Sequence, residues 1–336
     1  MKVLSPIPYG SGAYVVHKML ESGIAGYEVA SYNPNLSFFP PALFAKARGG
    51  HPDIVHTSPD YGIFFHRKNV PLVLTLHSFM LDPFMRRYFS LAQKIHYATD
   101  LRFFTRCSLK LASVITSVSS FTADLARKEL NLSGDIRVIY NGINSSLFTP
   151  PAQKRATGPV TVLYSGNLTR NKGAHLLPRI ASKLKPGIVI KYTQGLRTKT
   201  KLADIPHLQP IGAVAYRGMP ELYRQADILL FPTAREGLSL SALEAMSSGL
   251  PVVTTRSASM PELIEDGQGG FLCGLEQVDE FAEKINLLAD SPSLRRQMGD
   301  FNRQRIEKSF TLETMVQNYK NLFTEVLDRG LGRPDG

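Results

Sequence analysis

The sequence predicts an α/β protein with two domains, each built on a parallel sheet. Its 336 residues are enough for two hydrophobic cores of ordinary size. Short apolar runs without polar alternation recur along the chain, as expected for strands that are buried on both faces of a parallel sheet; examples are residues 70–76, 111–117 and 188–193. Segments with apolar residues at helical spacing lie between such runs, so strands and helices are predicted to alternate.

The first predicted strand, residues 2–5, leads through a turn into a helix near residues 14–21. Gly10 and Gly12 in this turn would let the backbone approach a ligand closely at the start of the helix, although such a glycine pair is also common in plain turns.

Two further strands are predicted at residues 53–57 and 70–76, and His77 directly follows the second. Because open α/β sheets bind ligands at the carboxyl ends of their strands, this position favours a functional histidine over a purely structural one.

Residues 83–110 combine basic and apolar side chains, with Asp100 as the single acid. The basic residues are Arg86, Arg87, Lys94, Arg102, Arg106 and Lys110. This mixture is typical of a basic amphipathic helix pair that lies on an anionic membrane or on a lipid-linked acceptor. An equally good interpretation is a helix packed on the domain with a solvated basic face.

The first domain is predicted to end near residue 150, after strands at 111–117 and 136–140. Prolines and glycines between residues 150 and 159 flank a polar stretch and indicate a linker. The chain is therefore divided into a first domain at 1–150, a second at 151–310, and a final helix at 311–329.

The second domain opens with a predicted strand, 160–165, and a turn from Gly166 to Gly173. Backbone N–H groups of such a turn can meet a phosphate, and Lys172 adds a positive charge, so the turn predicts a diphosphate site. Further predictions are a strand at 188–193 and a polar loop or short helix at 198–205.

Two glutamates mark the segment that organises the second domain. A predicted strand at 227–231 breaks at Pro232 into a loop with Glu236, and a helix then runs to a stop at Gly249. Glu236 would lie at the carboxyl end of a strand, beside the amino terminus of the helix. Glu244 lies among apolar residues of that helix, where a carboxylate is costly to bury without a partner.

Three helices are predicted to complete the chain, at residues 278–288, 291–310 and 311–329, and the tail from residue 330 is predicted to be disordered.

The formal net charge of +11 indicates an acidic partner, but no nucleic-acid-binding module is evident. Cys107 and Cys273 lack the spacing of metal ligands. The amino terminus is too short and too rich in proline for a secretory signal, and no apolar run reaches the length of a membrane span, so a cytosolic location is expected.

The string Glu-Gly-Leu-Ser-Leu-Ser-Ala-Leu-Glu-Ala-Met-Ser-Ser-Gly-Leu-Pro-Val-Val at 236–253 closely resembles the signature of glycosyltransferase family 4, the group 1 retaining enzymes. The stretches around 141–150, 166–173 and 211–227 resemble the same family in the right order. The resemblance implies a GT-B fold, in which two Rossmann-like domains with parallel sheets face a central cleft, the second holds a nucleotide sugar and the final helix crosses back to the first.

The resemblance also implies roles for individual residues. Glu236, His77 and Lys172 would act on the donor sugar and its diphosphate. Donor binding would involve Glu244 at the ribose, a backbone group near Val214 at the base, and the residues Gly237, Leu238, Ser239, Gly12, Gly166 and Asn167 near the phosphates.

The sequence departs from the family pattern at two places. Asn167 occupies the position of an arginine that helps to hold the diphosphate, so this charge is missing unless Arg170 or Arg235 supplies it. Ala258 and Ser259 replace a glycine pair, which is expected to narrow the sugar pocket.

The expected function is retaining transfer of a sugar from a nucleoside diphosphate sugar, of UDP or GDP type, to a saccharide or lipid-linked acceptor. No further cofactor is expected, and the absence of an Asp-X-Asp pair predicts metal independence. A possible anionic membrane surface for residues 83–110 would make the protein peripheral on the inner face of the membrane. The alternatives are a sugar-nucleotide binding module and a non-transferring enzyme of the same fold, such as an epimerase.

Overall fold

The computed structural model describes residues 1–47, 50–153, 158–194 and 202–330. The chain forms two compact units, Met1–Gly142 with Leu312–Gly336, and Ile143–Thr311. The division falls at Gly142 and not after residue 150, because the buried Phe148 is bound to the second unit: its carbonyl accepts hydrogen bonds from Arg303 and from the Ser247 hydroxyl. Parts of the predicted linker (154–157), polar loop (198–201) and tail (331–336) lie outside the described residues.

Twelve strands are present in the described part of the chain, six in each unit. The first unit contains β1 (Val3–Pro8), β2 (Tyr27–Tyr32), β3 (Ile54–Thr57), β4 (Leu72–Leu76), β5 (Val114–Ser117) and β6 (Ile136–Val138). The second contains β7 (Val160–Tyr164), β8 (Ile188–Thr193), β9 (Leu208–Gly212), β10 (Ile228–Phe231), β11 (Val252–Thr255) and β12 (Gly270–Cys273).

Both sheets are parallel throughout, with the orders β2-β1-β3-β4-β5-β6 and β12-β11-β10-β7-β8-β9. The prediction of two parallel α/β sheets is confirmed. In the second sheet the chain moves outward from β7 in one direction and then, from β10, in the other. This is the doubly wound order of a Rossmann fold, and β7 and β10 flank its switch point.

Eleven α-helices cover the sheets in the described part of the chain. They are α1 (Gly12–Gly23), α2 (Leu91–His96), α3 (Arg102–Leu111), α4 (Ser120–Leu130), α5 (Leu177–Ala181), α6 (Met219–Arg224), α7 (Leu240–Ser247), α8 (Met260–Leu263), α9 (Val278–Asp290), α10 (Pro292–Ser309) and α11 (Leu312–Asp328). One π-helical turn, Tyr97–Leu101, joins α2 to α3. In the part that the structure describes, every helix is too short or too polar to cross a lipid bilayer.

The first strand runs further than its sequence predicts, through Pro6 and Pro8. The N–H groups of Val3 and Tyr9 point toward the β2 side, so residues of the opposite parity face β3. Pairing of β1 with β3 involves only Val3 and Leu4, and the two prolines therefore sit where no ladder donor is needed.

The last helix, α11, packs within the first unit. Arg137 on β6 donates two hydrogen bonds to Glu325, at 2.7 and 3.0 Å. Gly23 at the end of α1 approaches Val316 so closely that an added Cβ would overlap its side chain. The apolar face of α11, predicted from its helical spacing, is buried as a result.

Candidate active site

Two loops meet at the switch point of the second sheet. One follows β7 and runs from Ser165 to Gly173, and the other follows β10 and runs from Pro232 to Ser239. The Ala234 N–H donates to the Asn171 carbonyl at 2.9 Å. Gly173 has φ +74° and lies against the Pro232 carbonyl, where a Cβ would overlap the oxygen. Glycine is therefore required at 173 both for its conformation and for the close approach of the loops.

Lys172 and Glu236, one from each loop, form an ion pair at this junction. Lys172 Nζ donates to Glu236 Oε1 at 2.6 Å, and Thr233 Oγ1 donates to the same oxygen at 2.7 Å. The exposed fractions of the side chains are 27% for Lys172 and 11% for Glu236. The structure thus brings together two residues that lie 64 positions apart in sequence, with a cation and a carboxylate at the carboxyl ends of adjacent strands.

The start of the first loop leaves room for a ligand. The Gly166 N–H donates to Thr193 Oγ1 at 3.0 Å, and the nearest atom to an added Cβ at Gly166 would be the Tyr164 hydroxyl oxygen at 3.8 Å. Asn167 is held by its backbone, because its carbonyl accepts from the Tyr164 hydroxyl at 2.9 Å. Arg170 is exposed, and the Arg235 guanidinium donates to Ser257 Oγ at 2.6 Å.

The second glutamate, Glu244, is buried in α7 with an exposed fraction of 5%. The Tyr223 hydroxyl donates to its Oε2 at 2.8 Å and lies 3.3 Å from Ser165 Oγ. Burial raises the pKa of Glu244 to about 7, against the opposing effect of the Tyr223 hydrogen bond. The sequence predicted that Glu244 must have a partner, and Tyr223 is that partner.

Val214 lies in the segment between β9 and a short turn, Tyr216–Gly218, that precedes α6. The Tyr216 ring packs against Phe148. Burial, and then the charge of Glu244, raise the pKa of Tyr216, so this segment lies close to the buried carboxylate.

The remaining predicted donor-binding residues of this loop are Gly237, Leu238 and Ser239. Gly237 and Leu238 are buried. Ser239 caps α7, since its hydroxyl accepts from the Ala242 N–H at 3.2 Å. A capping serine stabilises the helix that begins directly after this loop.

The loop that carries Ala258 and Ser259 braces the Glu236 loop. Ser259 Oγ donates to the Glu236 carbonyl at 3.2 Å, and Ser257 Oγ donates to the Ala234 carbonyl at 2.9 Å. Ala258 has φ +53°, a left-handed conformation that disfavours every residue except glycine. Ala258 therefore adopts, with strain, a backbone conformation that a glycine would adopt there without strain.

The first unit contains the other two predicted site residues. Gly12 is the first residue of α1, which is capped by Ser11, and an added Cβ at Gly12 would meet no atom within 4 Å. His77 follows β4 and is half-buried, and its Nε2 lies 2.9 Å from His17 Nε2. The position of His77 directly after a strand marks it as a candidate in the sequence, whereas no such signal marks its partner His17 on α1.

Family models match nearly the whole chain. The model of glycosyl transferases group 1 matches residues 148–305, and the model of glycosyltransferase family 4 matches residues 6–147. The chain belongs to the group 1, family 4 glycosyltransferases. The family resemblance of the sequence is thereby confirmed, and this glycosyltransferase is an enzyme of the sugar-transferring class.

Curated relatives differ in the reaction that they are named for. The MMP alpha-(1->4)-mannosyltransferase of Mycolicibacterium hassiacum is 23% identical over 319 residues, which cover 86% of this chain and 74% of the relative. The glycogen synthase of Mycobacterium tuberculosis is 27% identical over 215 residues, or 61% of this chain and 52% of the relative. This glycosyltransferase thus matches about half the length of that second relative.

Solved structures share the fold at low sequence identity. Sucrose-phosphate synthase from Thermosynechococcus elongatus has a TM-score of 0.81 at 18% identity, covering 98% of this chain and 100% of that one. Anabaena HepE in complex with UDP-glucose has a TM-score of 0.75 at 19% identity, covering 98% and 100%. The predicted GT-B fold is confirmed by these matches together with the two parallel sheets.

Proposed function

We propose that this glycosyltransferase is a retaining, metal-independent enzyme that transfers a sugar from a UDP-sugar to a saccharide carried on a lipid. The observation that carries the proposal is the Lys172–Glu236 pair at the switch point, with Nζ and Oε1 2.6 Å apart. A cation and a carboxylate at one junction suit the two polar halves of a nucleotide sugar, its diphosphate and its sugar hydroxyls.

The donor would be held by the second unit. Lys172 and the N–H groups of Gly237 and Leu238 would bind the diphosphate, the buried Glu244 would accept hydrogen bonds from the ribose hydroxyls, and the base would lie against the backbone near Val214. The choice of UDP over GDP is supported by Anabaena HepE, whose structure holds UDP-glucose.

The proposed reaction breaks the bond between the anomeric carbon and the diphosphate oxygen, and the electron pair stays on the diphosphate. The acceptor hydroxyl oxygen then bonds to the anomeric carbon on the same face, and its proton passes to the departing diphosphate. Positive charge develops on the sugar in the transition state, as in glycoside hydrolysis. Fixed positive potential from Lys172 and the helix terminus would stabilise the leaving group. Glu236 would orient the sugar in the second unit, and His77 would contact substrate in the first.

Metal independence is part of this proposal, as expected from the lack of an Asp-X-Asp pair in the sequence. In the described residues, no group of three or more His, Cys, Asp and Glu side chains could hold a metal ion. We expect full activity in the presence of a chelator. Activity that is lost in the chelator and restored by Mn²⁺ would overturn this part of the proposal.

A lipid-linked acceptor is supported by the surface of the helix from Leu91 to Leu111. Leu91, Ile95 and Phe103 are 75%, 58% and 62% exposed. They lie on a helix on which the basic residues Lys94, Arg106 and Lys110 are also exposed. Apolar side chains in water beside positive charge suit the boundary of an anionic membrane.

A row of aromatic contacts runs inward from this surface. Phe103 contacts Phe104, Phe104 contacts the buried Phe64, and Phe64 contacts the exposed Phe44, with ring centroids 5.4, 4.9 and 5.0 Å apart. The exposed Phe103 and the exposed Phe44 are therefore connected through the core of the first unit.

Thermal shift with UDP, GDP, ADP and dTDP tests the donor site. A ligand that binds only the folded state stabilises it by roughly 2.7 kcal/mol at a hundredfold excess over its dissociation constant. We expect a selective shift with UDP that Glu244→Ala abolishes, whereas Glu236→Ala should chiefly lower the rate of UDP-sugar hydrolysis. Glu283→Ala, at an exposed position of α9, serves as the control. UDP binding without any hydrolysis would support the binding-module alternative instead.

Sedimentation with vesicles tests the acceptor surface. We expect binding to anionic vesicles at low salt, and loss of binding in Ile95→Ser and Lys94→Glu. Leu287→Ser, which removes an exposed leucine from the second unit, is the matched control. Equal sedimentation with neutral and anionic vesicles would refute the membrane proposal without affecting the donor site.

A further inference from the structure

Three histidines lie side by side in the first unit. His17 is on α1, His56 is on β3 and His77 follows β4. The rings of His17 and His56 stack with centroids 4.5 Å apart, and the centroids of His17 and His77 are 4.9 Å apart. His17 and His56 are fully buried, whereas His77 is partly exposed. Buried histidines in such contact are costly unless their ring nitrogens are paired.

Hydrogen bonds link the three rings through one phenol. His17 Nε2 lies 2.9 Å from His77 Nε2, and His17 Nδ1 lies 2.8 Å from the Tyr27 hydroxyl and 2.5 Å from Ser5 Oγ. The same Tyr27 hydroxyl lies 2.8 Å from His56 Nδ1. Tyr27 is therefore the bridge between the two fully buried histidines.

The two ends of this chain differ. At the inner end, His56 Nε2 lies 2.7 Å from Thr75 Oγ1, which in turn lies 2.6 Å from Thr116 Oγ1 and 3.2 Å from the Tyr319 hydroxyl on α11. At the outer end, His77 Nδ1 is buried and, within the described residues, has no hydrogen-bond partner. A buried polar atom left without a partner points to one that a bound molecule supplies.

All three histidines are neutral at neutral pH. Burial lowers the pKa of His77 to about 3. Burial, followed by the nearby histidines, lowers the pKa of His17 and of His56 well below its ordinary value. A neutral imidazole has one N–H and one bare nitrogen, so a ring that donates through one nitrogen must accept through the other.

This rule leaves two consistent arrangements of protons. In the first, Tyr27 donates to His17 Nδ1, His17 donates through Nε2 to His77 Nε2, and His77 Nδ1 carries a hydrogen. In the second, Tyr27 donates to His56 Nδ1, His17 Nδ1 donates to a hydroxyl, His77 donates through Nε2 to His17, and His77 Nδ1 is bare. The hydroxyl of Thr75 fits either arrangement, because it can donate to His56 or accept from it.

We propose that His17, Tyr27 and His56 are positioning residues that set whether His77 presents an N–H donor or a bare acceptor at Nδ1 to a bound substrate. The proposal deepens the proposed function, since it rests on His77 contacting substrate. His56, on β3, would thereby control whether His77 donates or accepts a hydrogen bond, although the two side chains share no hydrogen bond. The chain orients the His77 ring and fixes its tautomer, as second-layer partners do for other functional histidines.

Nitrogen-15 NMR of histidine-labelled protein tests the proposal, because protonated and bare ring nitrogens have well-separated shifts. The His77 signals are assigned with His77→Gln. In His56→Leu the Tyr27 hydroxyl keeps His17 as its histidine partner, which selects the first arrangement. We expect the tautomer ratio of His77 to move by about tenfold toward the Nδ1–H form, because the Tyr27 hydroxyl then has no second histidine to which it can donate.

A double-variant comparison separates coupling through Tyr27 from simple packing. In a Tyr27→Phe background, His56→Leu should leave the His77 shifts unchanged, whereas a packing effect would persist. If His56→Leu does not fold, Thr75→Val removes the hydroxyl at the inner end with little change of shape. His207→Asn, in the second unit, is the control variant. Unchanged His77 shifts in His56→Leu, or an equal change with and without Tyr27, would overturn the proposal.

Activity provides a separate readout. We expect His56→Leu to change the rate of UDP-sugar hydrolysis with little change in the KM for the donor, and to do so only when Tyr27 is present. If the His77 shifts respond to His56→Leu through Tyr27 but the wild-type protein hydrolyses no UDP-sugar, the result would count against the proposed function. If the wild type hydrolyses UDP-sugar but the His77 shifts do not respond, the result would count against the histidine chain.

Discussion

If Glu244 binds the ribose as proposed, its buried carboxyl should make nucleotide binding dependent on pH. Its pKa is raised to about 7 by burial, and in the described part of the chain the Tyr223 hydroxyl is its hydrogen-bond partner. If the ribose hydroxyls donate to it, they favour the ionised form, so the pKa falls on binding and a proton is released. Affinity should therefore rise with pH through about 7 and level off above it.

The size of the effect follows from the pKa. At about pH 6 roughly one tenth of the free sites would be ionised, so affinity should be about tenfold weaker than at alkaline pH, or ~1.4 kcal/mol. Titration calorimetry in buffers of different ionisation enthalpy measures both the affinity and the proton release. The terminal phosphate of UDP itself titrates near pH 6, so UDP-glucose, whose phosphates are both esterified, is measured in parallel.

Glu244→Gln is the control for this titration. It should bind more weakly and lose the dependence on pH that Glu244 causes. The same slope in Glu244→Gln as in the wild type, with UDP-glucose as ligand, would refute the assignment of the titrating group to Glu244.

The same carboxyl affects the stability of the free protein. The folded state holds its proton more tightly than the unfolded state, so its contribution is fully present below about pH 4.5 and is lost as pH rises through about 7. The free energy of unfolding falls by roughly 3 kcal/mol over this pH range as a result. Glu244→Gln should accordingly stabilise the unliganded protein at alkaline pH, as urea denaturation would show, while it weakens nucleotide binding.

Three further substitutions probe the second unit, and two of them are compared with a second variant. Gly166→Ala should leave the urea midpoint unchanged but weaken UDP binding, because the space beside Gly166 is open to a ligand, whereas Gly173→Ala should lower both by forcing the two loops apart. Asn167→Arg should raise the rate of UDP-sugar hydrolysis by about tenfold if it adds a charged hydrogen bond to the diphosphate; an unchanged rate would show that the missing charge is supplied elsewhere. Ala258→Gly should stabilise the protein by up to about 1 kcal/mol through relief of its left-handed φ, in contrast to Ala242→Gly in a helix, which should destabilise it by about 1 kcal/mol.

Sequence predicts the buried elements of this protein well. The apolar runs at 188–193 and 227–231 form β8 and β10, and the helices predicted at 278–288 and 311–329 form α9 and α11 with small changes at their ends. These elements are long or strongly apolar, so their burial dominates local preferences. The predicted strand at 111–117 begins only at Val114, because α3 continues through Leu111.

Contacts between distant segments could not be predicted in this way. The sequence placed Lys172 and Glu236 at strand ends, but their pairing depends on the order of strands in the sheet, which periodicity does not encode. The strand β2 was missed because only its end residues, Tyr27 and Tyr32, are buried, so neither an apolar run nor an alternation of period two marks it in the sequence. Tyr223 and His17 were missed as site residues because a buried tyrosine or histidine on a helix is normally a core residue.

The two departures from the family pattern have a common structural consequence. Asn167 removes a charge from the loop after β7, so in the proposed mechanism stabilisation of the leaving group would depend more heavily on the groups that remain, above all Lys172. The stabilisation that Lys172 would give to the leaving group depends on how rigidly the neighbouring loops are held, because preorganised charges need no rearrangement during the reaction. Ser259, in place of a glycine, donates to the Glu236 carbonyl, and Ser257 ties Arg235 and Ala234 to the same loop. A glycine at 259 could not make the first of these hydrogen bonds. Ser257 and Ser259 therefore fix the loop that carries Glu236, the ion-pair partner of Lys172, close to the position where the family pattern has an additional positive charge.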